Sequence, residues 1–84
     1  MTVFHFTKIA EKELSSFDAS IQKLLIEGLT KMKDPGLLSM GSKKVVNLLP
    51  ATHRLRIGNY RLLYKKTGDI VLILKIGHRK EIYR

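Results

Sequence analysis

The chain has 84 residues and no cysteine, is 44% hydrophobic and 27% charged, and carries a formal net charge of +9; this allows a single domain over 1–84 and excludes a disulfide-stapled scaffold and an intrinsically disordered chain. No stretch approaches the roughly 20 apolar residues of a membrane span, and the first residues lack a basic secretion signal, so a cytoplasmic protein with no membrane partner is expected. The charge is uneven: residues 1–42 hold five lysines against five acids, and residues 43–84 hold eleven lysines and arginines against Asp69 and Glu81.

Val3 to Phe6 is short, apolar and aromatic, and predicts a first strand. Thr7 is placed to cap a helix from Lys8 to about Ser16, because its hydroxyl can accept an otherwise orphaned backbone N–H. Ile9, Ala10, Leu14 and Phe17 recur there at helical spacing. Asp18 opens a second helix to about Lys33, with Ile21, Leu24, Leu25, Leu29 and Met32 on one stripe. Gly28 shares that stripe and marks a close approach, to the sheet or to the first helix. The short link predicts an antiparallel helix pair. Asp34-Pro35-Gly36 reads as the end of the second helix, and residues 36–51 as mostly loop, in which Lys43-Lys44-Val45-Val46 can open a strand that Pro50 must close.

His53 to Ile57 alternates basic or polar with apolar residues, Gly58-Asn59 offers a two-residue hairpin turn, and Tyr60 to Lys66 returns as the next strand. Thr67-Gly68-Asp69 is a further turn before the β-forming run Ile70 to Ile76. The expected fold is α+β in the order β-α-α-β-β-β, with two antiparallel helices packed on one face of a small, mainly antiparallel twisted sheet. A core this small is marginal, so a partner that binds only the folded chain would stabilise it.

The hairpin converts the charge count into a site. A turn at Gly58-Asn59 sets Arg56 opposite Arg61 and Leu55 opposite Leu62, with Arg54 on the same side as the arginine pair. A three-residue loop at 67–69 would then set Lys75 opposite Arg61 and Leu62 opposite Leu74. This register gathers Leu55, Ile57, Leu62, Tyr64, Leu72, Leu74 and Ile76 under the helices and leaves Arg54, Arg56, Arg61, Lys75 and Arg79 on an open face without an acid. Such a face repels itself and calls for a polyanion, of which nucleic acid is the commonest. Arginine grips two phosphate oxygens at once and stays protonated, so the cluster suits a phosphodiester and the extra charge that develops when it is attacked. His53, His78 and Tyr83 are the nearby groups able to move protons, with Tyr83 favoured because guanidiniums lower a phenol's pKa; His5, on the first strand, is a spectator. Lys43, Lys44, His53, Lys75, His78 and Lys80 are the candidates for further substrate contacts.

Arg54-Leu55-Arg56-Ile57-Gly58-Asn59-Tyr60-Arg61-Leu62-Leu63-Tyr64, followed by Ile76-Gly77-His78-Arg79-Lys80-Glu81-Ile82-Tyr83, resembles the signature of RelE-type toxins of the RelE/ParE superfamily. The resemblance covers nearly the whole chain. It implies the toxin of a type II toxin–antitoxin module, held in a hetero-oligomer with a cognate antitoxin protein. It further implies a ribosome-dependent endoribonuclease that cuts mRNA in the ribosomal A site with neither metal nor cofactor, by attack of a ribose 2′-OH on the adjacent phosphate. By the same resemblance Arg61 matches the arginine on the scissile phosphate, Arg79 the arginine that stabilises or protonates the leaving group, and Tyr83 the tyrosine that stacks on or helps activate the cleaved nucleotide. Arg54 and Arg56 match two positions that are lysines in well-studied members. A lysine can give up its proton to act as base and an arginine effectively cannot, which moves that role to Tyr83 or His78. Two other readings compete: a ParE-like inhibitor of DNA gyrase without nuclease chemistry, and a non-catalytic basic RNA-binding module.

Overall fold

A computed structural model describes residues 2–46 and 48–78; Arg79, Lys80 and Tyr83 lie outside them. The elements run β1 (Val3–Phe6), α1 (Lys8–Ser16), α2 (Ala19–Lys31), α3 (Pro35–Gly41), β2 (Ser42–Lys44), β3 (His53–Ile57), β4 (Tyr60–Thr67) and β5 (Ile70–His78). The strands form one sheet in the order β1-β5-β4-β3-β2, antiparallel except for the parallel β1–β5 pair. The α+β class and the mainly antiparallel sheet are as expected, with one helix and one strand more than the periodicities predict.

Side-chain capping accounts for two of the three helix starts among the described residues. Thr7 Oγ1 accepts from the Ala10 N–H at 3.1 Å and caps α1 as expected. Asp18 holds the N-cap position of α2 without a side-chain bond. α2 ends at Lys31, just before Asp34-Pro35 as expected, but the same dipeptide also starts the extra helix: Asp34 Oδ1 accepts from the N–H groups of Gly36 at 2.8 Å and Leu37 at 3.2 Å, and Pro35 opens the first turn of α3. An aspartate cap followed by proline at the first helical position starts a helix as readily as a turn stops one.

The core lies between the helices and one face of the sheet. Ala10, Leu25, Leu29 and Leu38 from the helices meet Leu55, Ile57, Leu62, Tyr64, Val71, Ile73 and Ile76. Full burial of each large apolar side chain contributes about 1.5–3 kcal/mol. Gly28 answers the question its position raised: a Cβ there would stand 2.8 Å from Ile57 Cγ2, so the glycine lets α2 approach β3. Where β5 runs past the end of β1, Glu13 of α1 reaches over and its Oε1 accepts from the Ile76 N–H at 2.9 Å.

The last strand departs from the expected register. Its turn is the two-residue Gly68-Asp69, with Thr67 paired to Ile70 and Gly68 at φ +60°. A register shift then occurs between Leu63 and Tyr64, which face Lys75 and Ile73 and leave Leu74 as the extra residue of a bulge. The bulge reverses the alternation along β5. Val71, Ile73 and Ile76 therefore face the helices, while Leu74 joins Leu63, Ala51, Val45 and Leu48 in a second cluster on the other face. Leu72 and Leu74 are not under the helices as expected, and Arg61 faces Gly77 rather than Lys75. The strand opened at Lys43-Lys44 does not continue into Val45-Val46; Val45, Leu48 and Ala51 instead pack with Leu63 and Leu74 on the far face of the sheet.

Candidate phosphate-binding site

Arg54 and Arg56 leave β3 on the face away from the helices because Leu55 and Ile57, which alternate with them, are buried in the core. The turn at Gly58-Asn59, with Gly58 at φ +58°, sets Arg56 directly opposite Arg61. On the other side of β3, Lys43 of β2 stands directly opposite Arg54. Two like-charge cross-strand pairs thus lie side by side, the arrangement a sheet avoids unless an anion compensates it.

These four cations line one shallow pocket of about 270 Å³, whose remaining lining is Met40, Gly41 and Ser42 from the end of α3 and the start of β2. Among the described residues, no acid lines it. Arg56 Nε donates to the Gly58 carbonyl at 3.4 Å and Arg61 Nη1 to the Tyr60 carbonyl at 3.5 Å, long contacts that help to orient the guanidiniums. Guanidiniums stay charged across the physiological range, so the pocket can hold a phosphodiester and stabilise added negative charge, but its arginines cannot accept a proton.

The other predicted contacts are dispersed. Lys75 is paired with Leu63, which separates it from Arg54, and it does not line the arginine pocket. His78 pairs with Tyr60 on the helix side, its ring edge-on to the Tyr60 ring at 5.8 Å, so the structure does not bring it to the arginines. His53 and Lys44, paired with one another across β2–β3, likewise alternate away from Arg54 and Lys43. Arg79, Lys80 and Tyr83 lie outside the described residues. Met40, Gly41 and Ser42 went unnoticed in the sequence because α3 did; the Asp34-Pro35 start signal, read as a cap, would have found them.

On the helix side of the β2 edge, His53 stacks on Tyr64 with ring centroids 5.1 Å apart and planes 7° from parallel. Tyr64 Oη donates to Ser42 Oγ at 2.9 Å, and Thr52 Oγ1 lies 2.9 Å from His53 Nδ1. Burial pushes the Tyr64 hydroxyl up from 10.0, against the opposing pull of the Ser42 bond, so it stays neutral. Burial, then the charges of Lys44 and Lys66, hold His53 below 6.5.

Comparison with known proteins places the chain. The model of the ParE toxin of type II toxin–antitoxin systems matches residues 4–83. Toxin RelE3 of Methanocaldococcus jannaschii is 31% identical over 81 residues, spanning 93% of this chain and 91% of that protein. Among solved structures, a chain of the RelBE2 toxin–antitoxin complex of Mycobacterium tuberculosis superposes with a TM-score of 0.78 at 28% identity, covering 93% of this chain and 98% of that one. A chain of the RelB–RelE complex of Methanococcus jannaschii gives 0.69 at 26% identity, with 93% of each chain covered. The isolated RelE toxin of E. coli, at 18% identity and a TM-score of 0.70 over 99% of this chain and 92% of that one, shares the fold. The chain belongs to the RelE/ParE superfamily of type II toxin–antitoxin toxins.

Proposed function

We propose that this toxin is a cytoplasmic, ribosome-dependent mRNA endonuclease neutralised by a RelB-like antitoxin. The observation that carries the reading is the pocket in which Lys43, Arg54, Arg56 and Arg61 converge with no acid among its described lining residues. A surface that only binds another protein has no chemical reason to hold two like-charge pairs in register, whereas a phosphodiester in mid-displacement has every use for them.

In this reading the scissile phosphate sits against Arg61 and Arg56. The adjacent ribose 2′-OH attacks the phosphorus in line, forming the new O–P bond as the bond to the 5′-oxygen breaks. The products are a 2′,3′-cyclic phosphate and a 5′-OH. The arginines stabilise the charge that accumulates on the phosphoryl oxygens, a role that removal of one donor typically reveals as a loss of about 10²-fold or more. Arg79 stabilises or protonates the departing oxygen, and Tyr83 takes up the proton of the 2′-OH or stacks on the base. The partner reading draws support from the two relatives solved as complexes with antitoxins.

The test is primer extension on mRNA bound to translating ribosomes after addition of the toxin. Cuts within the A-site codon, suppressed by antitoxin, are expected. Uncut mRNA together with gyrase-linked DNA breaks would replace this reading with that of a gyrase inhibitor.

A further inference from the structure

Around the β2 edge from the arginine pocket lies a second pocket, of about 240 Å³, lined by Leu38, Ser39, Ser42, Lys44, His53, Tyr64 and Lys66. Ser42 lines both pockets, so they adjoin at the start of β2. The short strand distributes its charge between them: Lys43 turns to the arginines and Lys44, by alternation, to the second pocket. Among the described residues, no acid lines either one.

We infer that this second pocket takes another backbone phosphate of the same RNA strand, which crosses the sheet edge at β2 on its way from the arginines; the inference rests on the RNA-cleaving reading above. Lys44 and Lys66 supply two ammonium groups, and Ser39 a hydroxyl. The His53 ring is already fixed, stacked on Tyr64 with Thr52 Oγ1 at its Nδ1. In the tautomer whose Nδ1 accepts from the Thr52 hydroxyl, which then gives up its longer 3.4 Å bond to the Tyr64 carbonyl, the neutral ring carries its proton on Nε2, a donor for an anion. The charged and titratable groups around His53 are Lys44 from β2 and Lys66 and Tyr64 from β4, while α3 contributes only Leu38 and Ser39. Burial is the first cause of the lowered His53 value and the lysine charges the second; a phosphate between the two lysines would offset the second, so bound RNA should raise its titration midpoint.

The probe is a short 2′-O-methyl oligouridylate, which lacks the attacking hydroxyl and stays intact. Its affinity is measured against salt concentration, and the His53 ring resonances are titrated by NMR with and without it. The Lys44→Gln/Lys66→Gln double variant, both exposed positions, should lower the salt slope by about 0.7 per lysine. Lys12→Gln on α1 should leave the slope unchanged, and in the wild type His53 should titrate higher with RNA bound. Wild-type affinity and slope in the double variant, with His53 unmoved while Arg61→Ala still weakens binding, would overturn the subsite and leave the RNA reading standing. Equal losses in the double and Lys12 variants would also overturn it, in favour of diffuse attraction. An oligoglutamate peptide that moves His53 when RNA does not would overturn it in favour of an acidic protein segment. Wild-type binding by both Arg61→Ala and the double variant would bring down the RNA reading with it.

Discussion

Arg56 and Arg61 stand directly opposite one another across the β3–β4 hairpin. Like charges in that position cost roughly 0.2–1 kcal/mol, and the cost is useful only if an anion sits between them. Arg56→Gln should therefore raise the melting temperature by about 1–8 °C in low-salt buffer, since a domain of this size gains roughly 4–8 °C per kcal/mol. Added inorganic phosphate should stabilise the wild type more than the variant, because only the wild type has the full set of donors. Thermal melts with and without phosphate check both. Equal stabilisation of the two proteins would show that the pair does not hold the anion.

Gly28 of α2 is pressed against Ile57, with a hypothetical Cβ 2.8 Å from Cγ2 and 2.9 Å from Cδ1. Gly28→Ala gains about 1 kcal/mol of helix propensity but overpacks the α2–β3 contact, which commonly costs about 1–3 kcal/mol. A net loss of stability is expected in urea denaturation. The pair should be non-additive: Ile57→Ala, which removes the opposing atoms, should cost less in the Gly28→Ala background than in the wild type. Additive losses would mean that α2 shifts away instead.

His53 gives the fold a pH dependence of known sign. Its folded value lies below the 6.5 of the unfolded chain, so between the two the unfolded chain binds more protons. The contribution of the neutral, stacked ring is full above 6.5 and declines as pH falls through that window. The wild-type melting temperature should fall between about pH 7.5 and about pH 5.5, and His53→Phe, which keeps a ring against Tyr64 without a titrating nitrogen, should show a smaller fall. The same fall in both proteins would assign the effect to other groups.

Tyr83 and His78 were the two candidates for the base, and His78 stands against Tyr60 on the helix side. Tyr83→Phe keeps the ring and removes the hydroxyl, so it should bind ribosomes normally and cleave at least about 10-fold more slowly if it carries the proton, as general acid–base groups usually contribute about 10²–10⁴-fold. His78→Gln should cleave near the wild-type rate. Full activity of Tyr83→Phe with loss in Tyr83→Ala would make the tyrosine a stacking platform.

Legibility in the sequence followed how local the controlling physics was. The β3–β4 register could be read because Gly58-Asn59 forces a turn and strict alternation then assigns each arginine a side. The β5 register could not. The Leu74 bulge breaks the alternation, and two different two-residue phases both bury good β-formers: Leu72 and Leu74, or Val71 and Ile73. Only contact with the helices and with Ala51 and Leu48 decides between them. Asp34-Pro35 was ambiguous in another way, since the same dipeptide can stop one helix and start the next. Missing α3 hid the Met40–Ser42 wall of the arginine pocket. The pocket's arginines were legible from charge and hairpin geometry together; the dispersal of Lys44, His53 and His78 to the helix side followed from strand parity, which the list of basic residues alone does not carry.

The most direct test of the central claim is the single-turnover rate at which ribosome-bound mRNA is cut by the wild type and by Arg61→Ala, with the chemistry of the new ends determined. Arg61 lies on the pocket side of β4, between half-buried Tyr60 and buried Leu62, so its truncation should leave the melting curve close to that of the wild type. The account predicts a 2′,3′-cyclic phosphate and a 5′-OH from the wild type, and a loss of about 10²-fold or more in the variant. Cleavage by Arg61→Ala within about threefold of the wild-type rate, well short of a lost transition-state contact, would contradict it.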